Sequence, residues 1–124
     1  MNIGWMMFKV EWKSKSAKTK RLLLDLLKND SHYRHVEYLD PHSVYWFKGR
    51  IHAEYRYTGE RVQILFHPQL GYIIDFAAKK KYVQDYSCVP AVDAMRLYRE
   101  IQLMSLEFEE EKAAKCKERK KNEQ

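Results

Sequence analysis

RIHAEYRYTGERVQILFHPQLGYIIDFAAK, residues 50–79, decides the fold. It divides into three alternating runs separated by two turn signals, Thr58 with Gly59 and a stretch at 68–70 that opens on Pro68. Treating Thr58 and Gly59 as a two-residue hairpin turn pairs Tyr57 with Glu60, Tyr55 with Val62, Ala53 with Ile64 and Ile51 with Phe66. Beyond the first of these, every pair on that side is apolar or aromatic. The opposite side then gathers Arg50, His52, Glu54, Arg56, Arg61 and His67, with Arg56 beside Arg61, Glu54 beside Gln63 and Arg50 beside His67. Through the second turn Ile64 meets Ile74, Phe66 meets Tyr72, and Asp75 joins Gln63 and Glu54. The two-residue side-chain period thus turns an oily face inward and a charged face outward.

Working outward, residues 5–12 (WMMFKVEW) alternate Met6, Phe8, Val10 and Trp12 against Lys9 and Glu11, the pattern of a strand. Ser14 or Ser16 can cap a helix running to about Asn29, with an apolar stripe of Leu22, Leu23, Leu26 and Leu27. Lys18, Lys20, Arg21 and Lys28 fall on its surface. Residues 30–43 lose all periodicity and read as a loop or broken helical turn ending at Asp40 and Pro41, with the sheet beginning near Val44. After Lys79, Lys80 and Lys81 a connection passes through Asp85 to Val89, and Pro90 suits the first turn of a second helix. There Ala94, Leu97, Ile101, Met104 and Phe108 recur at three- and four-residue intervals, the seam of a helix packed on a sheet. Past Phe108 the apolar face ends. Glu109, Glu110 and Glu111 precede Lys112, Lys115, Lys117, Arg119, Lys120 and Lys121, a stretch with little to bury.

These readings predict one α+β domain over residues 1–108, followed by a charged helical or frayed tail over 109–124. Its sheet is antiparallel, of about four strands, with an N-terminal helix and a long C-terminal helix packed on one face.

At 124 residues and 45% hydrophobic composition the chain can bury a core without covalent staples. The formal net charge of +6 favours an anionic partner over a neutral small molecule. Cys88 and Cys116 are the only cysteines and form no CxxC pair, so they read as reduced thiols of a cytoplasmic protein with no zinc framework. His32, His35 and His42 sit beside Glu37 and Asp40, but their spacing matches no ligand framework. No metal and no cofactor are expected. The apolar stretch at Trp5 to Phe8 is too short for a signal peptide or membrane span.

The charged face has the ingredients of metal-independent RNA cleavage: a base for the 2′-hydroxyl, an acid for the leaving oxygen, and cations for the phosphate. Glu54 or His52 is a candidate base, and His67 or Tyr82 a candidate acid. Arg56, Arg61 and the lysines at 79, 80 and 81 are candidate phosphate holders. Arg56 directly opposite Arg61 would repel unless an anion lay between them. A sheet face of this composition also arises with no task beyond meeting water. A second basic group, Lys13, Lys15, Lys18, Lys20 and Arg21, lies at the helix start, where the macrodipole disfavours cations; Trp12 or Tyr33 could stack on a base there.

The segments GRIHAEYRY, ERVQILF, GYIIDFAAKKKY and PAVDAMRLYREI fall within about residues 44–104. Through them this stretch resembles the RelE/ParE superfamily of toxin–antitoxin toxins, closest to HigB-like members. On it, Arg56 and Arg61 match the strand arginines, and Lys79, Lys80 and Lys81 match the basic run. The resemblance implies an endoribonuclease that cuts mRNA on the ribosome and is held inactive by an antitoxin. The alternative is a small basic module without enzymatic activity, of phage or mobile-element type, that binds nucleic acid or inhibits an acidic host protein. A third reading makes the long C-terminal helix a docking rod in an assembly.

Overall fold

A computed structural model describes residues 17–39, 50–67, 71–84, 87 and 89–122. Helix α1 covers 17–28. Five strands follow, β1 (Tyr33–Leu39), β2 (Arg50–Tyr55), β3 (Arg61–His67), β4 (Gly71–Phe76) and β5 (Lys79–Val83), and then helix α2 (Pro90–Asn122). The strands form one antiparallel sheet in sequence order. The expected strand at 5–12, the sheet start near Val44, the turn at 68–70, and Lys13, Lys15, His42 and Cys88 lie outside the described residues.

The α+β class and the two helices are as the periodicity predicts, but among the described residues the sheet has five strands rather than about four. Two of them, β1 and β5, differ from the sequence expectation. Residues 33–39, expected within a loop or broken helical turn, form β1; its alternation is hidden because two residues, His35 and Val36, stand against Ala53 alone. His35 adopts φ 53°, the left-handed bulge conformation that lets a strand carry one extra residue. Lys79, Lys80 and Lys81, after which a connection is expected, instead open a further strand, β5.

The β2–β3 register differs from the expected one by two residues. Ile51 pairs with Ile64, His52 with Gln63, Ala53 with Val62 and Glu54 with Arg61. A two-residue type I′ turn would need positive φ at Thr58, which a β-branched residue resists. Instead residues 56–59 form a four-residue loop with only Gly59 in the left-handed region (φ 74°). It is closed by Tyr55 N–H to the Glu60 carbonyl and Gly59 N–H to the Tyr55 carbonyl, each 2.8 Å. A slip of two preserves which face each side chain takes. The β3–β4 register is as expected, with Ile64 against Ile74, Phe66 against Tyr72 and Gln63 against Asp75.

Both helices cover the same face. Leu23 and Leu27 of α1 and Ala94, Leu97 and Ile101 of α2 join one core with Ile51, Ala53, Tyr55, Val62, Ile64, Tyr72, Ile74 and Phe76. On α1 the inward row is Thr19, Leu23 and Leu27 at four-residue spacing, which leaves Leu22 exposed and brings Lys20 inside, against the expectation that it lay on the surface. On α2 the expected seam holds: Met104 and Phe108 pack at the core's edge, and Phe108 meets Phe76 edge-on at 5.3 Å between ring centroids. Ser87 and Asp93 fix the start of α2, the Asp93 carboxylate accepting from the Ser87 N–H (2.8 Å) and hydroxyl (3.0 Å). The helix continues to Asn122, and residues 109–119 are exposed throughout.

Candidate functional site

The face of the sheet turned away from the helices is ordered in three cross-strand rows. The first is Arg34, Glu54 and Arg61. The second is Glu37, His52, Gln63, Asp75 and Lys80. In the third, Leu39 pairs with Arg50 on one side, and Leu65, Ile73 and Tyr82 are paired on the other. Strand neighbours lie about 5 Å apart, so each row is a continuous line of side chains.

The sequence places Glu54, His52 and Arg61 together, and the structure does the same with altered relations. Arg56 leaves the sheet for the β2–β3 loop, where its backbone N–H reaches the His32 carbonyl at 2.8 Å, so the expected Arg56–Arg61 opposition does not form. Glu54 takes that place opposite Arg61. Its Oε1 accepts from Arg34 Nε (2.9 Å) and Nη2 (2.6 Å). That hydrogen bond, outweighing partial burial and helped by the nearby cations, holds the Glu54 carboxyl below its ordinary value. A carboxylate so stabilised is a weak proton acceptor.

His52 sits between Glu37 and Gln63, and its Nε2 is buried without a hydrogen-bond partner. Burial, then Arg50, then Arg61 push its pKa down, against an opposing pull from Glu37. The imidazole is therefore held in its neutral form, the form that can accept a proton. His67 ends β3 opposite Gly71.

The basic run divides between the two faces. Lys79 and Lys81 project on the helix side: Lys79 Nζ bonds both carboxylate oxygens of Glu111 (2.8 and 3.1 Å), and Lys81 bonds Glu100. Only Lys80 falls on the open face, opposite Asp75, with the exposed Tyr82 two residues on. Lys18 and Arg21 are exposed on α1, whose inward row lies on the other side of the sheet.

A further cluster centres on Asp30. Asp30, just after α1, accepts from the His32 N–H (2.9 Å), from His32 Nδ1 (2.6 Å) and from the Tyr98 hydroxyl. Burial pushes its pKa up, yet the Tyr98 and His32 donors outweigh this and hold the carboxyl below its usual range. The sequence signal is the spacing Asp30 to His32, an aspartate closing a turn on the residue two ahead.

Among the described residues no three His, Cys, Asp or Glu side chains converge to hold a metal ion. No helix there is long and apolar enough to cross a membrane. Among the described residues the fold defines an α+β protein with a five-stranded antiparallel sheet, covered by two helices on one side and bearing Arg34, Arg50 and Arg61 around a buried His52 Nε2 and Ile73 on the other. Comparison with protein-family models, with curated proteins and with solved structures finds no match.

Proposed function

We propose that the protein is a small basic module that binds a nucleic-acid strand, RNA in the first instance, on the arginine-bearing face of its sheet without cleaving it. One observation carries this reading: Arg34, Arg50 and Arg61, from three adjacent strands, stand around His52 on one face that also presents Lys80 and the exposed Tyr82. Guanidinium groups spaced along a sheet suit successive phosphates, and an exposed ring suits a stacked base. The engagement of Glu54 by Arg34 favours binding over turnover, because the carboxylate best placed for proton transfer already serves as an arginine holder.

A second reading keeps a specific observation of its own. Neutral His52 beside Arg61 is a usable base next to a phosphate-binding cation, which supports a metal-independent endoribonuclease of the toxin type, acting on ribosome-bound mRNA under antitoxin control. That reading otherwise rests on the motif likeness to RelE/ParE toxins.

The two separate in one experiment. Anisotropy of a labelled single-stranded RNA, measured across a salt series, should show affinity falling steeply with salt. Arg50→Ala and Arg61→Ala should each weaken binding about 3–10-fold and flatten the salt slope by about one phosphate. Unchanged affinity in both variants would remove the open face from RNA binding. The same RNA run on a denaturing gel, with and without ribosomes, should remain intact. Cleavage that disappears in His52→Ala, together with growth arrest relieved by the same change, would establish the enzymatic reading.

A further inference from the structure

On the helix side of the sheet, between the start of β1, the end of β2 and the middle of α2, lies a cleft of about 430 Å³. That volume falls within the range of small-ligand sites. We infer that it binds a phosphomonoester carried on a flat aromatic body, the chemistry of a nucleoside monophosphate, with Arg99 and His32 at the phosphate.

Three observations converge on this class of ligand. The first is a prepositioned imidazole. The Asp30 carboxylate, whose side chain is only 9% exposed, already closes its turn through the His32 backbone N–H, so its further bond to Nδ1 serves to fix the ring. With Nδ1–H donated to Asp30, Nε2 accepts from a hydroxyl when the ring is neutral and donates to a phosphate oxygen when it is protonated.

The second is the charge left over. The lining carboxylate of Asp30 is taken by His32 and Tyr98, and Glu109, outside the lining, accepts from the hydroxyl of the lining Tyr55 at 2.5 Å. Arg99 lines the same cleft, is exposed, and has no ion-pair partner among the described residues. An unpaired guanidinium lining the same cleft as an oriented imidazole matches a phosphomonoester, which carries close to two negative charges and several acceptor oxygens, better than a single carboxylate.

The third is the aromatic and apolar wall. The lining rings of Tyr33, Tyr55 and His32 are linked into one chain of ring contacts through Tyr57, outside the lining, with centroids 5.4–5.7 Å apart. On the facing helix Leu103 and Leu106 are 53% and 54% exposed, large apolar side chains left in water at the mouth. A planar base seated between leucines and rings would remove that surface from solvent.

Either a free mononucleotide or the phosphorylated end of an RNA strand supplies this chemistry. The cleft and the open face lie on opposite sides of the sheet, so this inference does not rest on the proposed function.

The test is an NMR titration of the whole chain, following the His32 ring and the Arg99 side chain. Adenosine monophosphate, adenosine, inorganic phosphate and a 5′-phosphorylated trinucleotide are the probes. Adenosine monophosphate should give saturable shifts at both residues, and binding should be at least about 10-fold weaker in Arg99→Gln, which lies on the surface and leaves the core intact. Adenosine and phosphate alone should each bind more weakly. Tighter binding of the trinucleotide than of the mononucleotide would assign the site to a strand end, and the reverse order to a free nucleotide. The inference is overturned if the mononucleotide produces no saturable shift at His32 and Arg99. It is equally overturned if Arg99→Gln and His32→Gln both bind it as the unaltered chain does.

Discussion

Lys20 lies on the inward side of α1 beside Thr19 and Leu23, and burial lowers its pKa from the ordinary 10.5 to about 8. The consequence for stability has a definite sign. Below pH 8 both folded and unfolded chains carry the charge, and the fold bears the whole penalty of burying it. Between pH 8 and 10.5 the folded amine is neutral while the unfolded one stays charged, so stability rises with pH; above 10.5 the penalty is gone. At 1.36 kcal/mol per pKa unit the change across this window is about 3 kcal/mol, and Lys20→Met should flatten the rise, as read from urea midpoints at pH 7 and 10. His52, also held below its ordinary value, has the same sign in a lower window: its contribution is full above pH 6.5 and is lost as the solution is acidified. A different residue-scale device ties α2 to the sheet edge. The buried Ser105 hydroxyl lies 2.8 Å from the buried Tyr33 hydroxyl and donates to the Ile101 carbonyl at 2.7 Å. Ser105→Ala would leave the Tyr33 hydroxyl without a partner and should cost about 1–3 kcal/mol.

At the scale of elements, what the sequence could say depended on its turns. The β3–β4 pairing was legible because long apolar runs on both sides of Pro68 admit one register. β5 was not legible because its hairpin turn is made by Ala77 and Ala78, both at positive φ (50° and 68°), where glycine or asparagine is the usual signal. Alanine in that conformation is strained. The pair Ala77→Asn with Ala78→Gly should therefore raise stability by about 1–2 kcal/mol in thermal or urea unfolding, without moving the sheet. Gly71 is the converse case. Its φ is 82°, and a Cβ there would stand 2.6 Å from the Val83 carbonyl oxygen, so Gly71→Ala should break the close approach of β4 to the end of β5. β1 stayed hidden for a related reason: the bulge at His35 interrupts the alternation that marks a strand.

For the molecule as a whole, the layering was readable because it follows from which residues are oily, and five strands under two helices satisfy that pattern as four would. The open face was legible in membership but not in pairing. Faces depend only on odd and even positions, whereas the partner of Glu54 depends on loop length and on the unforeseen β1 that supplies Arg34. The C-terminal part of α2 contributes little to this body. Residues 113–119 are exposed, and the tie between Lys79 and Glu111 lies before them, so removing residues 113–124 should change stability by less than about 1 kcal/mol. The order of the sheet leaves β1 and β5 at its borders among the described residues. An outer strand with free backbone donors and acceptors invites recruitment of further copies into fibrils. Here one border is kinked by an inserted residue and the other carries three consecutive ammonium groups on alternating sides. Charge repulsion and distortion thus guard both rims, and replacing Lys80 and Lys81 by threonine should hasten thioflavin-positive aggregation in a chain that otherwise keeps its fold.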